Sequence, residues 1–141
     1  MLKNIPKNIS PELLKILCEM GHSDEIVLAD GNFPAASMNK NVIRYDCAGI
    51  VELLESILKL FPLDEYVEKP VFLMETGTEY QGKPKIWEEY TKILEQSEYI
   101  RGYEAVERFE FYERAKKAYA IVATGEEAIY ANIILKKGVI K

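Results

Sequence analysis

Residues 20–35 read MGHSDEIVLADGNFPA and set the predicted fold of the chain. The apolar run 26–29 predicts a short buried strand over residues 25–29, and Gly21 is a natural end for the helix before it. His22, the only histidine in the sequence, precedes this strand, and Asp30 follows it. Polar groups at the carboxyl ends of strands are where ligands usually bind in α/β proteins. The segment therefore predicts one strand of a sheet and one end of a candidate site.

Strand and helix patterns alternate outward from this segment. Ser10 followed by Pro11 predicts a helix start. Asp46 is the expected N-cap of the clearest amphipathic helix, which Pro62 ends. Further strands are predicted near residues 39–46, 71–74, 103–109, 118–123 and 130–135, and further helices near 84–98 and 110–117. The alternation predicts the α/β class: a single layered domain over residues 1–141, with a mixed, largely parallel sheet flanked by helices.

The composition is that of an ordinary globular protein and argues against several classes of function. A net charge of −5 without a long Lys/Arg cluster disfavours nucleic-acid binding by charge. No apolar run approaches the roughly 20 residues that span a bilayer, and no signal peptide is visible. We therefore expect a cytoplasmic protein that does not bind membranes. Cys18 and Cys47 lack metal-ligand spacing and are expected to be small, reduced core residues.

Familiar catalytic motifs are missing from the sequence, which has no Gly-rich phosphate loop, no GxSxG elbow, no HExxH and no metal-ligand cluster. The polar candidates that remain are His22, Asp30, Arg108, Tyr112, Tyr130 and Asn132. An imidazole titrates near neutrality and can exchange a proton with a substrate. Each candidate also has a purely structural interpretation, as a surface histidine, a turn former, a solvated cation or a strand residue.

Taken together, several segments resemble one known family. In the N-terminal half these are ISPELLK at 9–15, EMGH at 19–22, DEIVLAD at 24–30 and NFPA at 32–35. They resemble the start of the L-fucose mutarotase / D-ribose pyranase family. In the C-terminal half, RFEFYERA at 108–115, TGE at 124–126, Tyr130, Asn132 and LKKGV at 135–139 resemble its fucose branch. The resemblance runs in order over nearly the whole chain and is poorest over residues 68–100.

The resemblance implies an enzyme that interconverts the anomers of a free monosaccharide without a cofactor or a metal. It places the acid/base histidine on His22 and sugar-binding positions on Asp30, Arg108, Tyr130 and Asn132; Tyr112 is a further candidate. It also implies an oligomer, typically a ring-shaped decamer, with the site near subunit contacts. In mutarotation a ring oxygen gains a proton while the anomeric hydroxyl loses one. A single near-neutral imidazole with hydroxyl, amide and carboxylate partners suits that exchange.

The choice between the branches depends on a few positions. Ala131 stands where the fucose branch usually has glycine, which is more like the ribose branch. Arg108 and the NFPA segment at 32–35 favour fucose, because they offer more distinctive chemistry than one methyl group. We therefore expect interconversion of α- and β-L-fucose. The alternatives are a D-ribose pyranase, a mutarotase of another monosaccharide, and a non-catalytic sugar-binding accessory protein of sugar uptake.

Overall fold

The computed structural model describes residues 1–97 and 101–141. Along the chain, helices and strands follow one another in the order α1 Pro11–Glu19, β1 Glu25–Ala29, α2 Ala35–Met38, β2 Val42–Tyr45, α3 Ile50–Leu58, β3 Val71–Met74, α4 Lys85–Gln96, β4 Glu104–Val106, α5 Arg108–Lys117, β5 Ala120–Thr124 and β6 Ile133–Lys136. The expected end of the third predicted helix, at residue 98, lies outside the described residues.

The strands form one six-stranded sheet in the order β2-β5-β1-β6-β3-β4. Strand β6 is antiparallel to both of its neighbours, β1 and β3. The other neighbouring pairs are parallel. The predicted mixed, largely parallel sheet is therefore confirmed. One consequence matters for function: the start of β6 lies at the same edge of the sheet as the carboxyl ends of β1 and β3.

Helices cover both faces of this sheet. Successive side chains of β1 point to opposite faces, so Ile26 and Leu28 enter one apolar cluster while Val27 and Ala29 enter the other. The larger cluster is closed by the apolar faces of α1, α3 and α4. The smaller one is closed mainly by α2 and α5. Burial on both faces explains why the central strands read as continuous apolar runs.

Local signals placed the first helix correctly. The Ser10 hydroxyl accepts a hydrogen bond from the Leu13 N–H at 3.1 Å, and Pro11 occupies the first helical position. The helix ends at Glu19, and Met20 caps it in an extended conformation. Gly21 therefore stands one residue beyond the cap, where its N–H donates to an Asp24 carboxylate oxygen at 2.7 Å.

Two helix starts differ from their predicted positions, those of α3 and α5. Asp46 is not the N-cap of α3, because that helix begins at Ile50 after Gly49; the Asp46 carboxylate instead pairs with Arg44 on β2. The predicted strand at 103–109 is confined to β4, and Arg108 begins a helix. The Glu107 side chain caps that helix by accepting hydrogen bonds from the Phe109 and Glu110 N–H groups. The prediction relied on local strand propensity and missed this cap.

Three other features differ from the sequence-based expectation. The final strand begins at Ile133, so Tyr130 and Asn132 lie in the loop before it. Cys18 and Cys47 are exposed rather than buried in the core. The short helix α2 was not predicted, since four residues carry too little periodicity.

No helix among the described residues is long and apolar enough to cross a membrane.

Candidate functional site

The sheet topology joins Asp30, directly after β1, to Asn132, directly before β6. The Asp30 N–H donates to the Asn132 Oδ1 at 2.8 Å, and the Asn132 Nδ2 donates to the Asp30 Oδ2 at 3.0 Å. Both side chains are buried. The two residues thus form a reciprocal pair that closes the edge of the sheet, with the amide orientation dictated by its two roles.

The Asp30 carboxylate is held in a fixed orientation by several donors. Its Oδ1 accepts a hydrogen bond from the Asn32 N–H at 3.0 Å, so the turn after β1 wraps around the side chain. Burial raises the pKa of Asp30, and the hydrogen bonds from the Asn32 N–H and the Asn132 amide oppose that shift. The result is an oriented oxygen pair at the bottom of a depression, suited to accept hydrogen bonds from hydroxyl groups.

Tyr130 is locked in place by unusual backbone geometry and by contacts at both ends. Its φ of 57° is left-handed, a conformation that a tyrosine adopts only at some energetic cost. The Trp87 indole N–H donates to the Tyr130 carbonyl at 2.8 Å, and the Gly77 N–H donates to its hydroxyl at 3.0 Å. Its ring also packs edge-on against Tyr80 at 5.4 Å between centroids. The hydroxyl is therefore held at a defined position.

Arg108 and Tyr112 lie one turn apart on α5. The Arg108 Nε donates to the Tyr112 hydroxyl at 3.2 Å, and the guanidinium stands 5.4 Å from the Tyr112 ring centroid. This hydrogen bond raises the pKa of Arg108, which keeps the exposed guanidinium cationic. Its terminal amino groups take no part in this hydrogen bond and can donate to a ligand.

These elements enclose a cavity of about 340 Å³ at the carboxyl edge of the sheet. Five of the six candidate residues line it, together with apolar side chains that single-residue reasoning did not select. The complete lining is Asp30, Asn32, Phe33, Pro34, Met74, Arg108, Tyr112, Ile129, Tyr130 and Asn132. A few directed polar groups among apolar walls are typical of small-molecule sites. The NFPA segment, which supplies three of these residues, was the available sequence signal.

His22, the sixth candidate residue, does not line this cavity. It precedes β1 whereas Asp30 follows it, and the strand's five residues alone span roughly 16 Å. The imidazole Nε2 lies 3.2 Å from the Asp64 Oδ1, and its ring lies 5.4 Å from the Tyr66 ring. Within one chain, therefore, Asp30 is too far from His22 to orient its imidazole. The residue that contacts the imidazole is Asp64, which no motif or periodicity marked.

The sequence matches known proteins over nearly its whole length. The model of the RbsD / FucU transport protein family matches residues 3–140. The chain belongs to this family. A fucose mutarotase of Homo sapiens is 53% identical, over 99% of this chain and 94% of its own length.

Solved structures of RbsD / FucU family members share the fold. The crystal structure of the fucose mutarotase from Streptococcus pneumoniae in complex with L-fucose is 55% identical, with a TM-score of 0.95, and the match covers 99% of this chain and 100% of that one. RbsD of Bacillus subtilis complexed with D-ribose is 25% identical, with a TM-score of 0.72 over 100% of both chains. By sequence and by backbone, the chain is more similar to the fucose-bound structure than to the ribose-bound one.

Ala131, the residue that resembles the ribose branch of the RbsD / FucU family, does not line the cavity. It is fully buried and belongs to the larger apolar cluster. Its carbonyl accepts a hydrogen bond from the Tyr90 hydroxyl at 2.7 Å. The Ala131 methyl group thus packs into the core, although the residues before and after it, Tyr130 and Asn132, line the cavity.

Proposed function

We propose that this protein is an L-fucose mutarotase that interconverts the α and β anomers of free L-fucose, and that residues 1–141 form one sugar mutarotase domain. The observation that carries the proposal is the cavity at the edge of the sheet. Its oriented carboxylate, amide, phenol and guanidinium groups converge on a space of about 340 Å³. That volume and donor set suit one monosaccharide. High similarity to fucose mutarotases over the full chain supports the same substrate.

Each polar group in the cavity has a role that follows from its chemistry. The Asp30 carboxylate accepts hydrogen bonds from sugar hydroxyls, while Asn132 holds it in place from the side. The Arg108 guanidinium donates to hydroxyl oxygens from the rim, and Tyr112 limits its rotation. The Tyr130 hydroxyl both accepts and donates, which suits an anomeric or ring oxygen.

His22 is the acid/base group in this proposal. Mutarotation opens the cyclic hemiacetal and recloses it on the other face of the carbonyl, so one oxygen must gain a proton while another loses one. An imidazole exchanges protons readily near neutral pH, and general acid–base catalysis typically contributes roughly 10²–10⁴-fold. A factor of that size is sufficient for a reaction that already proceeds unaided in water.

The separation of His22 from the cavity implies an oligomer in which the site is shared. Since His22 and Asp30 lie at opposite ends of β1, one chain cannot bring both to the same sugar. We infer that His22 of one subunit acts at the cavity of a neighbouring subunit, and that the assembly is a ring-shaped decamer in the cytoplasm. The exposed side chains of Phe109 and Ile129 beside the cavity leave apolar surface for such a neighbour.

The test of the proposed function is saturation-transfer proton NMR, which follows exchange between the α and β anomeric signals. We expect catalysed exchange for L-fucose and little for D-ribose. We expect His22→Ala to abolish that exchange while retaining sugar binding. Exchange for ribose alone would move the protein to the pyranase branch. Sugar binding without accelerated exchange in the unmodified protein would favour the accessory binder.

A further inference from the structure

The TGE segment at 124–126 contributes no side chain to the cavity. Its glutamate, Glu126, is partly buried and lies in the loop between β5 and β6. The same loop carries three cavity residues, Ile129, Tyr130 and Asn132. A carboxylate that is partly removed from water needs hydrogen-bond donors, so its partners indicate what it does.

The Glu126 carboxylate joins this loop to the start of α3. Its Oε2 accepts a hydrogen bond from the Ile50 N–H at 3.1 Å, and its Oε1 accepts one from the Ala128 N–H at 3.1 Å. Ile50 is the first residue of α3, and Gly49 before it has no side chain that could cap the helix. Glu126 therefore supplies the cap from 76 positions away, where a negative charge is also favoured by the helix dipole.

The Glu126 backbone links the same loop to the turn that holds Asp30. The Gly31 N–H donates to the Glu126 carbonyl at 2.9 Å. The Thr124 hydroxyl accepts the Glu126 N–H at 3.2 Å and donates to the Ala29 carbonyl, at the end of β1, at 2.7 Å. Glu126 thus stands between α3 and the Asp30 turn and is hydrogen-bonded to both.

The packing around Glu126 leaves little room for larger side chains. A Cβ at Gly49 would lie 3.1 Å from the Glu126 Oε2, and one at Gly31 would lie 3.3 Å from the Glu126 carbonyl oxygen. A Cβ at Gly125 would collide with the Asp46 carbonyl. The segments therefore approach one another so closely at Glu126 that a shift of one displaces the others.

We propose that Glu126 is a positioning residue of the sugar site, which fixes the loop carrying Tyr130 and Asn132 to the start of α3 and thereby sets the affinity for the sugar. The inference rests on the proposed function, because it takes the cavity to be the sugar site. Glu126 does not line the cavity, so it acts through the residues that do. Ala128, which it holds, is followed directly by the cavity residues Ile129 and Tyr130.

The coupling between this glutamate and the sugar must work in both directions. The Glu126 clamp is defined here as the two hydrogen bonds from its carboxylate to the Ile50 and Ala128 N–H groups. If the clamp favours sugar binding, sugar binding favours the clamp by the same factor. L-fucose is therefore expected to reduce local opening at the start of α3, although Ile50 does not line the cavity.

The matched variants are Glu126→Gln and Glu127→Gln. Glu126→Gln keeps the shape of the side chain, but an amide has one accepting oxygen, so one of the two N–H groups faces an NH₂ donor. We expect KM for L-fucose exchange to rise by roughly tenfold, about the effect of one lost hydrogen bond. We expect kcat to change by less than about threefold, because the variant leaves His22 intact. Glu127→Gln makes the same chemical change at an exposed residue that does not line the cavity, and is expected to alter neither constant.

Hydrogen exchange followed by mass spectrometry gives a readout that a purely structural role would not change. In the wild-type protein, L-fucose is expected to slow exchange in the peptides that cover Ile50 and Ala128. In Glu126→Gln it is expected to slow exchange only in the loop, because the amide cannot hold both segments. Without sugar, Glu126→Gln should speed exchange in at least one of the two peptides, and Glu127→Gln in neither.

The outcomes separate this inference from the proposed function. An unchanged KM in folded Glu126→Gln would overturn the inference, and so would an equal rise in Glu127→Gln. A wild-type protein that catalyses anomer exchange, but in which L-fucose leaves hydrogen exchange at the start of α3 unchanged, would overturn it without any variant. A wild-type protein without catalysed anomer exchange would contradict the proposed function itself, while the sugar-free hydrogen exchange would still test the clamp. Circular dichroism of each variant verifies that the protein is folded.

Discussion

Asp30 and Asn132 stand 102 positions apart in the chain and exchange two hydrogen bonds, one through a backbone N–H and one through side chains alone. The pairing follows from strand direction: β6 is inserted antiparallel beside β1, so the residue before one strand meets the residue after the other. A loop amide thereby becomes the fixed partner of the carboxylate at the base of the cavity.

The variant Asp30→Asn tests this reciprocal pair. It replaces an accepting oxygen by an NH₂ group that faces the Asn132 Nδ2, so that two donors meet in a buried site. We expect a loss of unfolding free energy of about 1–3 kcal/mol and a weakened affinity for L-fucose. Chemical denaturation and sugar titration check the two effects. An unchanged stability would show that the amide pair rearranges freely.

The raised pKa of Asp30 predicts a pH dependence of stability. Because burial favours the protonated form in the folded state, folding takes up protons between the ordinary value of 3.8 and the raised pKa. The contribution of Asp30 to stability is therefore greatest below that window and decreases as the pH rises through it. The measurement is the unfolding free energy of the wild type minus that of Asp30→Asn across this range. A difference that grows with rising pH would contradict the assignment.

Arg108 is expected to contribute to the binding of L-fucose and not to the stability of the fold. Arg108→Lys keeps the charge but loses the forked donors and the Nε bond to Tyr112. We expect KM for L-fucose to rise about tenfold, with the unfolding free energy changed by less than about 0.5 kcal/mol, since the side chain is exposed. Arg44→Lys is the control, because Arg44 is exposed, pairs with Asp46 and does not line the cavity. Equal effects of the two variants would remove Arg108 from the site.

Ala131 is expected to affect stability and not the choice of sugar. Ala131→Gly removes a buried methyl group and frees the backbone, so we expect a loss of about 1–2 kcal/mol of unfolding free energy. Since the methyl group packs in the core, the ratio of fucose to ribose exchange rates should be unchanged. Measuring both exchange rates by NMR checks this. A shift of the ratio towards fucose would mean that the residue influences the cavity through its neighbours.

The shared site is tested by complementation between two inactive variants. His22→Ala lacks the acid/base group, and Arg108→Glu reverses the charge at the cavity rim. If His22 acts at a neighbouring subunit, random co-assembly of equal amounts rebuilds an intact pair in about a quarter of the sites, because each pair draws one residue from each chain. We expect about that fraction of wild-type exchange after refolding the mixture. No recovery in assembled mixtures would place both residues in the same chain's site.

Local signals in the sequence determined much of the secondary structure. The bounds of β1 and β3 were predicted as they are, because continuous apolar runs bounded by glycine, proline or aspartate require no long-range information. The Ser10–Pro11 helix start was equally local. Where a competing side chain intervened, as Glu107 does at the start of α5, the prediction failed, because capping outweighed strand propensity.

The sequence by itself also determined which residues have side chains suited to binding a sugar. The family resemblance singled out Asp30, Arg108, Tyr130 and Asn132 without any coordinates. Only the tertiary structure decided which of them meet. The antiparallel placement of β6 brings Asn132 to Asp30, while the length of β1 keeps His22 away from both. Asp64 emerged only from the folded chain. The physical reason is that propensity and capping act over a few residues, whereas strand order joins positions far apart, and no local pattern records it.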